Sequence, residues 1–222
     1  MIRAVIFDMD GLMFDTERVA YELLHDICAR HGLDYTLDMK RRMCGANFDA
    51  CTRIFREELG IEDSVLTFGQ CWSEVRERMA QDFAAHGIPC KPGLRELLDF
   101  LSAHGIRMAV ASGSSTAVVQ KYLDLAGLPA CFSALVGGSD IQNPKPAPDC
   151  FLLAAERLGV QPADCLVLED SSRGLQAALR AGMHAIWVPD LDRPDPETEQ
   201  RLDSVCVSLA DVAIWLRPQI TP

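Results

Sequence analysis

The sequence contains no apolar run of the roughly 18 to 20 residues that a membrane-spanning helix needs, so we expect no association with a membrane. It is also poor in positive charge, with 21 Lys and Arg against 32 Asp and Glu and a formal net charge of −11. Since phosphate backbones are bound through clustered Lys and Arg, this balance argues against a nucleic acid partner. It does not exclude a small anionic substrate, because helix N-termini, a bound cation and one lysine can make a site locally positive.

The nine cysteines include no C-x-x-C pair, and their number is odd. We therefore expect small buried thiols in a reducing compartment rather than a zinc site or a disulfide framework. The first residues enter an apolar run directly and include the charged Arg3, unlike a signal or transit peptide. These features predict a cytoplasmic protein, and we expect a monomer.

Two kinds of pattern divide the chain. Apolar runs at 106–111, 165–168 and 184–188 predict buried strands, and helical patterns separate them. Alternating strands and helices are typical of a parallel sheet that is covered on both faces. The predicted helices of this part are 94–103, 117–126, 148–158 and 173–181.

The segment between residues 16 and 87 has apolar residues at helical spacing and no alternating strand pattern. Helices are predicted at about 16–30, 37–43, 49–59 and 67–85. Glycine and proline at 87–89 and 91–93 suit a connector. The sequence therefore predicts an α/β core of residues 1–15 and 88–222, with an all-helical domain of residues 16–87 inserted after the first strand.

The first apolar run ends in two aspartates, Asp8 and Asp10, followed by Gly11. Ligands of open α/β sheets bind at the carboxyl ends of the strands, so these carboxylates are candidate functional groups. A solvated turn would have the same composition. Three later segments decide between the two interpretations.

Ser112 and Gly113 follow the second core strand and precede a predicted helix, an arrangement that suits either an anion site or a simple N-cap. Lys145 stands between two prolines, which restrict its backbone and favour an ammonium group held in one direction. A third strand ends in Glu169 and Asp170. Neighbouring carboxylates bind hard cations when they meet another carboxylate, although acids also decorate ordinary helix N-termini.

The four segments in this order resemble the motifs of the haloacid dehalogenase superfamily, over essentially the whole chain. The resemblance is to the subgroup with small helical caps, which includes β-phosphoglucomutase and sugar-phosphate phosphatases. It implies a Rossmann-like core, a cap domain, and a Mg²⁺-dependent phosphatase that acts on a small phosphomonoester such as a sugar phosphate.

The resemblance also implies roles for the residues. Asp8 is the nucleophile that forms an aspartyl-phosphate, and Asp10 is the general acid and base. Mg²⁺ is held by Asp8 and Asp170, by the backbone carbonyl of Asp10, and by Glu169 directly or indirectly. The expected phosphate ligands are Ser112 and Gly113, with Lys145 neutralising charge. By analogy, the cap loop of Gly45, Ala46 and Asn47 contacts the substrate.

Two other functions stay open. A phosphosugar mutase of the β-phosphoglucomutase type has the same four motifs, but this chain has Ala20 where those mutases have histidine and no arginine in the loop 45–48. Arg41, Arg42 or Arg53 could replace that arginine. A non-catalytic protein that binds a phosphorylated metabolite is the second alternative, although all four motifs are intact. Asp10 argues against the dehalogenases, whose halide leaving group needs no proton.

Overall fold

A computed structural model describes residues 1–44, 46, 48–61, 66–128 and 130–220. The chain forms two compact units: Met1–Asp15 with Ile88–Pro222, and Thr16–Gly87. Among the described residues, no helix combines the length and the apolar character needed to cross a membrane.

The larger unit is built on one six-stranded sheet in the order β3-β2-β1-β4-β5-β6, with every neighbouring pair parallel. The strands are β1 (Ala4–Phe7), β2 (Arg107–Ala111), β3 (Ala134–Val136), β4 (Cys165–Glu169), β5 (His184–Trp187) and β6 (Ser204–Val205). Strands β1 and β4 are buried along their whole length, as their continuous apolar sequences require. The predicted α/β fold with a parallel sheet is confirmed.

Helices cover this sheet. They are α5 (Leu94–Ala103), α6 (Thr116–Ala126), α7 (Asp149–Leu158), α8 (Ser172–Arg180), α9 (Pro196–Gln200) and α10 (Leu209–Ile220). One face of the sheet packs against the apolar sides of α7 and α8 in a single hydrophobic core. The alternate residues of the strands point to the opposite face, where Phe7 meets Phe132 edge to face. Burial on both faces fixes the register of the central strands.

The smaller unit is all helical in its described residues. Its helices are α1 (Thr16–Arg30), α2 (Leu37–Met43), α3 (Phe48–Leu59) and α4 (Phe68–His86). An aromatic cluster joins them: the ring of Phe55 lies 6.3 Å from that of Tyr35 and 5.5 Å from that of Phe68. Helix α4 begins with a capping box, in which Thr67 and Gln70 satisfy each other's backbone amides.

The strand order reverses at β1. From β1 the chain continues to β2 on one side of the sheet and later returns to β4 on the other side. Such a switch point opens a crevice at the carboxyl ends of the strands, where open α/β sheets bind their ligands. The residues that follow β1, β2 and β4 therefore lie where a ligand site is expected.

Candidate functional site

Strand register places the first aspartate beside the ends of two neighbouring strands. Phe7 pairs with Val110 on one side and with Leu168 on the other. The next residue, Asp8, donates its backbone amide to the carbonyl of Leu168 at 3.0 Å. The nucleophile predicted from the sequence thus directly follows β1, and its backbone is held by a hydrogen bond to β4.

Three carboxylates meet at this edge of the sheet. Asp8, Glu169 and Asp170 are buried, and one oxygen of each lies within 4.8 Å of the others. Gly11 makes the arrangement possible: its φ is +86°, and a Cβ there would lie 2.4 Å from Oδ2 of Asp170. An all-oxygen donor set with concentrated negative charge fits a hard divalent cation such as Mg²⁺.

Lys145 supplies the positive charge of the cluster. Its ammonium group donates to Asp8, to Glu169 Oε1 at 3.2 Å and to the carbonyl of Ala111 at 3.2 Å, which uses its three protons. The ring of Phe151 lies 4.7 Å from the ammonium nitrogen and adds a cation–π contact. Burial disfavours the charged amine, but the carboxylates of Asp8 and Glu169 outweigh burial and raise the pKa of Lys145.

The pKa of the Asp8 carboxyl is also raised, and for a carboxyl group this disfavours the charged form. Burial is the main cause that raises the pKa of Asp8, the nearby charge of Glu169 adds to the rise, and Lys145 opposes it. Without further positive charge, the site therefore disfavours the ionised Asp8 that a nucleophile requires. A bound divalent cation would supply that charge.

Glu169 is hydrogen-bonded through both oxygens. Its Oε2 accepts from the amides of Asp170 and Ser171 at 2.8 and 3.3 Å, and its Oε1 accepts from the Ser171 hydroxyl at 3.0 Å as well as from Lys145. Gly174 leaves room for this carboxylate, since a Cβ there would lie 1.4 Å from Oε1. Glu169 is therefore fixed at the end of β4, just ahead of α8.

Asp10 is oriented towards the loop after β2. Its Oδ2 accepts a hydrogen bond from the Ser114 hydroxyl at 2.9 Å and lies 3.4 Å from the Ser112 hydroxyl. Ser112 is buried, and its own oxygen accepts the backbone amide of Ser114 at 3.0 Å. The two sequence motifs thus meet, Asp10 from the first and Ser112 from the second. Ser114 was not predicted, because a hydroxyl in a β2–α6 loop has no signal of its own.

Two arginines of helix α8 hold the loop that carries Lys145 by donating hydrogen bonds to its backbone carbonyls. Arg173 donates from Nε and Nη2 to the carbonyl of Lys145 at 3.1 and 2.7 Å, and Arg180 donates to the carbonyl of Pro146 at 2.8 Å. The indole of Trp187 donates to the carbonyl of Asp170 at 3.1 Å. Sequence reasoning missed these supporting residues, since contacts to backbone carbonyls have no sequence pattern.

The core residues predicted as functional are Asp8, Asp10, Ser112, Gly113, Lys145, Glu169 and Asp170. Contacts join Asp8, Lys145, Glu169 and Asp170 in one group and Asp10 and Ser112 in another. Gly113 follows Ser112 and is exposed, and a Cβ there would meet nothing within 4 Å. Of the predicted cap loop, Gly45 and Asn47 lie outside the described residues. Ala46 lies between α2 and α3 in the helical unit. Its role as a substrate contact stays a prediction.

The sequence of this chain is similar to those of known hydrolases. A family profile described as haloacid dehalogenase-like hydrolase matches residues 5–188. A phosphorylated-carbohydrates phosphatase from Thermotoga maritima is 34% identical over 186 residues, which are 84% of this chain and 84% of the relative. The fructose-1-phosphate phosphatase of Escherichia coli K12 is also 34% identical over 186 residues, covering 83% of this chain and 95% of the relative.

The fold is shared with solved structures. The crystal structure of a β-phosphoglucomutase from Clostridium difficile superposes with a TM-score of 0.75, covering 99% of this chain and 97% of that one. The two sequences are 22% identical. This similarity shows a common fold.

Proposed function

Because the chain belongs to the haloacid dehalogenase-like hydrolases and is a phosphoric monoester hydrolase, we propose that it hydrolyses small phosphomonoesters, in particular sugar phosphates, through an aspartyl-phosphate on Asp8. The main support is the meeting of Asp8, Glu169 and Asp170 with the ammonium group of Lys145. A sugar phosphate is supported by the two relatives whose names specify phosphorylated carbohydrates.

A divalent cation suits the donor set. Asp8 and Asp170 would hold Mg²⁺ through carboxylate oxygens, with the backbone carbonyl of Asp10 as a further ligand. Both oxygens of Glu169 already accept hydrogen bonds from the chain, so we assign it to orienting Lys145 and the amides of Asp170 and Ser171. Bound Mg²⁺ would neutralise charge on Asp8 and on the phosphoryl group.

The need for that charge follows from electrostatics. A carboxylate that approaches a phosphate dianion is repelled, and each pair of unit charges at about 4 Å costs roughly 4 kcal/mol at an effective dielectric constant near 20. The ammonium group of Lys145 lies against the same carboxylate and offsets part of this repulsion. Asp8 can then use a free oxygen lone pair to attack phosphorus.

The remaining steps use Asp10 and the loop after β2. As the P–O bond to the alcohol breaks, Asp10 gives its proton to the leaving oxygen; it then takes a proton from the water that hydrolyses the aspartyl-phosphate. The Ser112 hydroxyl and the amide of Gly113, just ahead of α6, would hold the phosphate oxygens. We assign the helical unit, residues 16–87, to a cap that selects the substrate.

The direct test is phosphate release from a panel of phosphomonoesters by the full chain, with Mg²⁺ and then with EDTA. The panel contains sugar phosphates, glycerol phosphate, nucleotides and p-nitrophenyl phosphate. We expect Mg²⁺-dependent release that EDTA abolishes and Mg²⁺ restores. If no phosphomonoester is hydrolysed while phosphate still binds, the chain is a binding protein and the proposal is wrong.

The same assay separates a phosphatase from a mutase. A mutase returns the phosphoryl group to the sugar, so it forms an isomeric sugar phosphate with little orthophosphate. We expect orthophosphate to be the main product from every sugar phosphate that reacts. Ala20 supports this, because the resemblance places a histidine there in the mutases, and a methyl group can neither donate nor accept a proton.

A further inference from the structure

We propose that Ser114 is a positioning residue for Asp10: its hydroxyl holds the Asp10 carboxylate while Ser112 is given over to the phosphoryl group. This inference rests on the proposed function and adds to it a residue outside the four motifs. The contact that supports it is the hydrogen bond from Ser114 Oγ to Asp10 Oδ2 at 2.9 Å.

Ser114 is well suited to hold another side chain, because its own backbone is fixed at both polar atoms. Its amide donates to Ser112 Oγ at 3.0 Å, and its carbonyl accepts from the amide of Gly138 at 2.8 Å. Close approach of the Gly137–Gly138 segment to this loop requires glycine, since a Cβ on Gly138 would lie 2.4 Å from the carbonyl oxygen of Gly113. The hydroxyl therefore projects from a rigid loop.

The two serines differ in their hold on Asp10. Ser112 Oγ lies 3.4 Å from Asp10 Oδ2, at the outer limit of a hydrogen bond, whereas Ser114 Oγ lies at 2.9 Å. When the Ser112 hydroxyl donates its hydrogen bond to a phosphate oxygen instead, Asp10 loses the weaker of these two donors and keeps the stronger, Ser114. Ser114 thereby leaves Ser112 free to bind phosphate without releasing the acid.

A carboxylate held in this way acts with a smaller loss of side-chain freedom, and small displacements of a catalytic group cost large factors in rate. The benefit should appear where Asp10 protonates the leaving group. It should be small where the leaving group departs without a proton, as p-nitrophenolate does.

The test compares Ser114→Ala with Ser115→Ala, a neighbouring exposed serine whose side chain makes no capping hydrogen bond to α6. The measured quantities are kcat/KM for the best alkyl phosphate of the panel, kcat/KM for p-nitrophenyl phosphate, and the inhibition constant of orthophosphate. For Ser114→Ala we expect about a tenfold loss on the alkyl phosphate, as for a lost hydrogen bond to a charged group. The loss on p-nitrophenyl phosphate should be under about threefold, with orthophosphate inhibition within about twofold. Ser115→Ala should match the unmodified protein in all three.

Two further variants separate positioning from a structural role. Ser114→Thr keeps the hydroxyl and should restore most of the alkyl phosphate activity. In the Asp10→Asn background, Ser114→Ala should cause little further loss, because the group that it positions has already been altered.

An equal loss on both substrates with weaker orthophosphate inhibition would make Ser114 a phosphate ligand and overturn the inference. Additive losses in the double variant would also overturn it, as would activity equal to that of Ser115→Ala. If the unmodified chain hydrolyses nothing, the proposed function itself fails. If it is active and Ser114→Ala is fully active too, only the role of Ser114 is wrong.

Discussion

Lys145 and Glu169 lie 3.2 Å apart, ammonium nitrogen to Oε1, the lysine on the loop between β3 and α7 and the glutamate at the end of β4. Both are buried or nearly so, and the same ammonium group also contacts Asp8. The pair joins the loop before α7 to the end of β4. It therefore serves both the stability of the core and the charge balance of the site.

Replacement of Lys145 by methionine should lower both the stability of the protein and its rate of hydrolysis. Lys145→Met leaves the buried carboxylates of Asp8 and Glu169 without their shared cation, and breaking a buried pair costs about 3–5 kcal/mol. At roughly 2–4 °C per kcal/mol for a chain of this size, the metal-free melting temperature should fall by about 6–20 °C. Hydrolysis should fall by at least about 100-fold.

Lys121→Met is the matched control, because Lys121 is exposed on α6. Thermal melts with and without Mg²⁺ check the prediction, and Mg²⁺ should stabilise Lys145→Met more than the control. A Lys145→Met protein with an unchanged metal-free melting temperature would contradict the assigned ion pairs.

Asp8→Asn should abolish hydrolysis while the fold persists. An amide is a poor nucleophile towards phosphorus, and the change also removes a negative charge from a crowded cluster. We expect phosphate release at the level of the buffer alone, with the circular dichroism spectrum unchanged. Asp99→Asn, an exposed acid on α5, should keep full activity. Near-normal turnover by Asp8→Asn would remove Asp8 from the role of nucleophile.

The loss of activity caused by Asp10→Asn should depend on the leaving group of the substrate. A sugar alkoxide needs a proton to depart and p-nitrophenolate does not, so kcat/KM should fall much more for sugar phosphates. We expect the losses to differ by at least about tenfold. Equal losses on the two substrates would argue against Asp10 as the general acid.

Gly174→Ala should displace the Glu169 carboxylate, although Gly174 itself is not one of the proposed site residues. The added methyl group would lie 1.4 Å from Glu169 Oε1, so the carboxylate or the first turn of α8 has to move. We expect activity to fall at least tenfold, as for other displacements of catalytic groups. Mg²⁺ should also stabilise the variant less.

Gly69→Ala, in helix α4, provides the comparison: its Cβ would make an ordinary 3.5 Å contact with Phe48. That variant should be as active as the parent, and about as stable or slightly more stable. The prediction is tested by measuring phosphate release and thermal melts, with and without Mg²⁺, for both glycine variants. Equal activity of the two variants would contradict it.

The fold was predictable where segments are long and apolar. The strand runs at 106–111, 165–168 and 184–188 agree with β2, β4 and β5 to within a residue at each end. Strands β3 and β6 have three and two residues, too few to show a period, and their place in the sheet comes from pairing with β2 and β5. Helix α10 was not predicted either.

The site was predictable in its motifs and unpredictable in its contacts. Local sequence patterns mark these residues: Asp8, Glu169 and Asp170 come directly after apolar runs, and Lys145 stands between two prolines. The hydrogen bond between Asp10 and Ser114 spans 104 positions of the chain. Such a contact depends on the order of the strands and on the close packing of Gly137 and Gly138 against the loop after β2. Neither can be recognised from the sequence around residue 114.

The central place of β1 has a consequence for biosynthesis. Its hydrogen-bonding partners, β2 and β4, follow it by about a hundred residues or more, beyond the whole helical unit. A nascent chain that ends before residue 107 leaves this apolar strand with both edges open on the ribosome. Until residues 107–111 and 165–169 have been synthesised, both edges of this apolar strand lack their native partners, and open apolar edges favour aggregation of an incomplete chain.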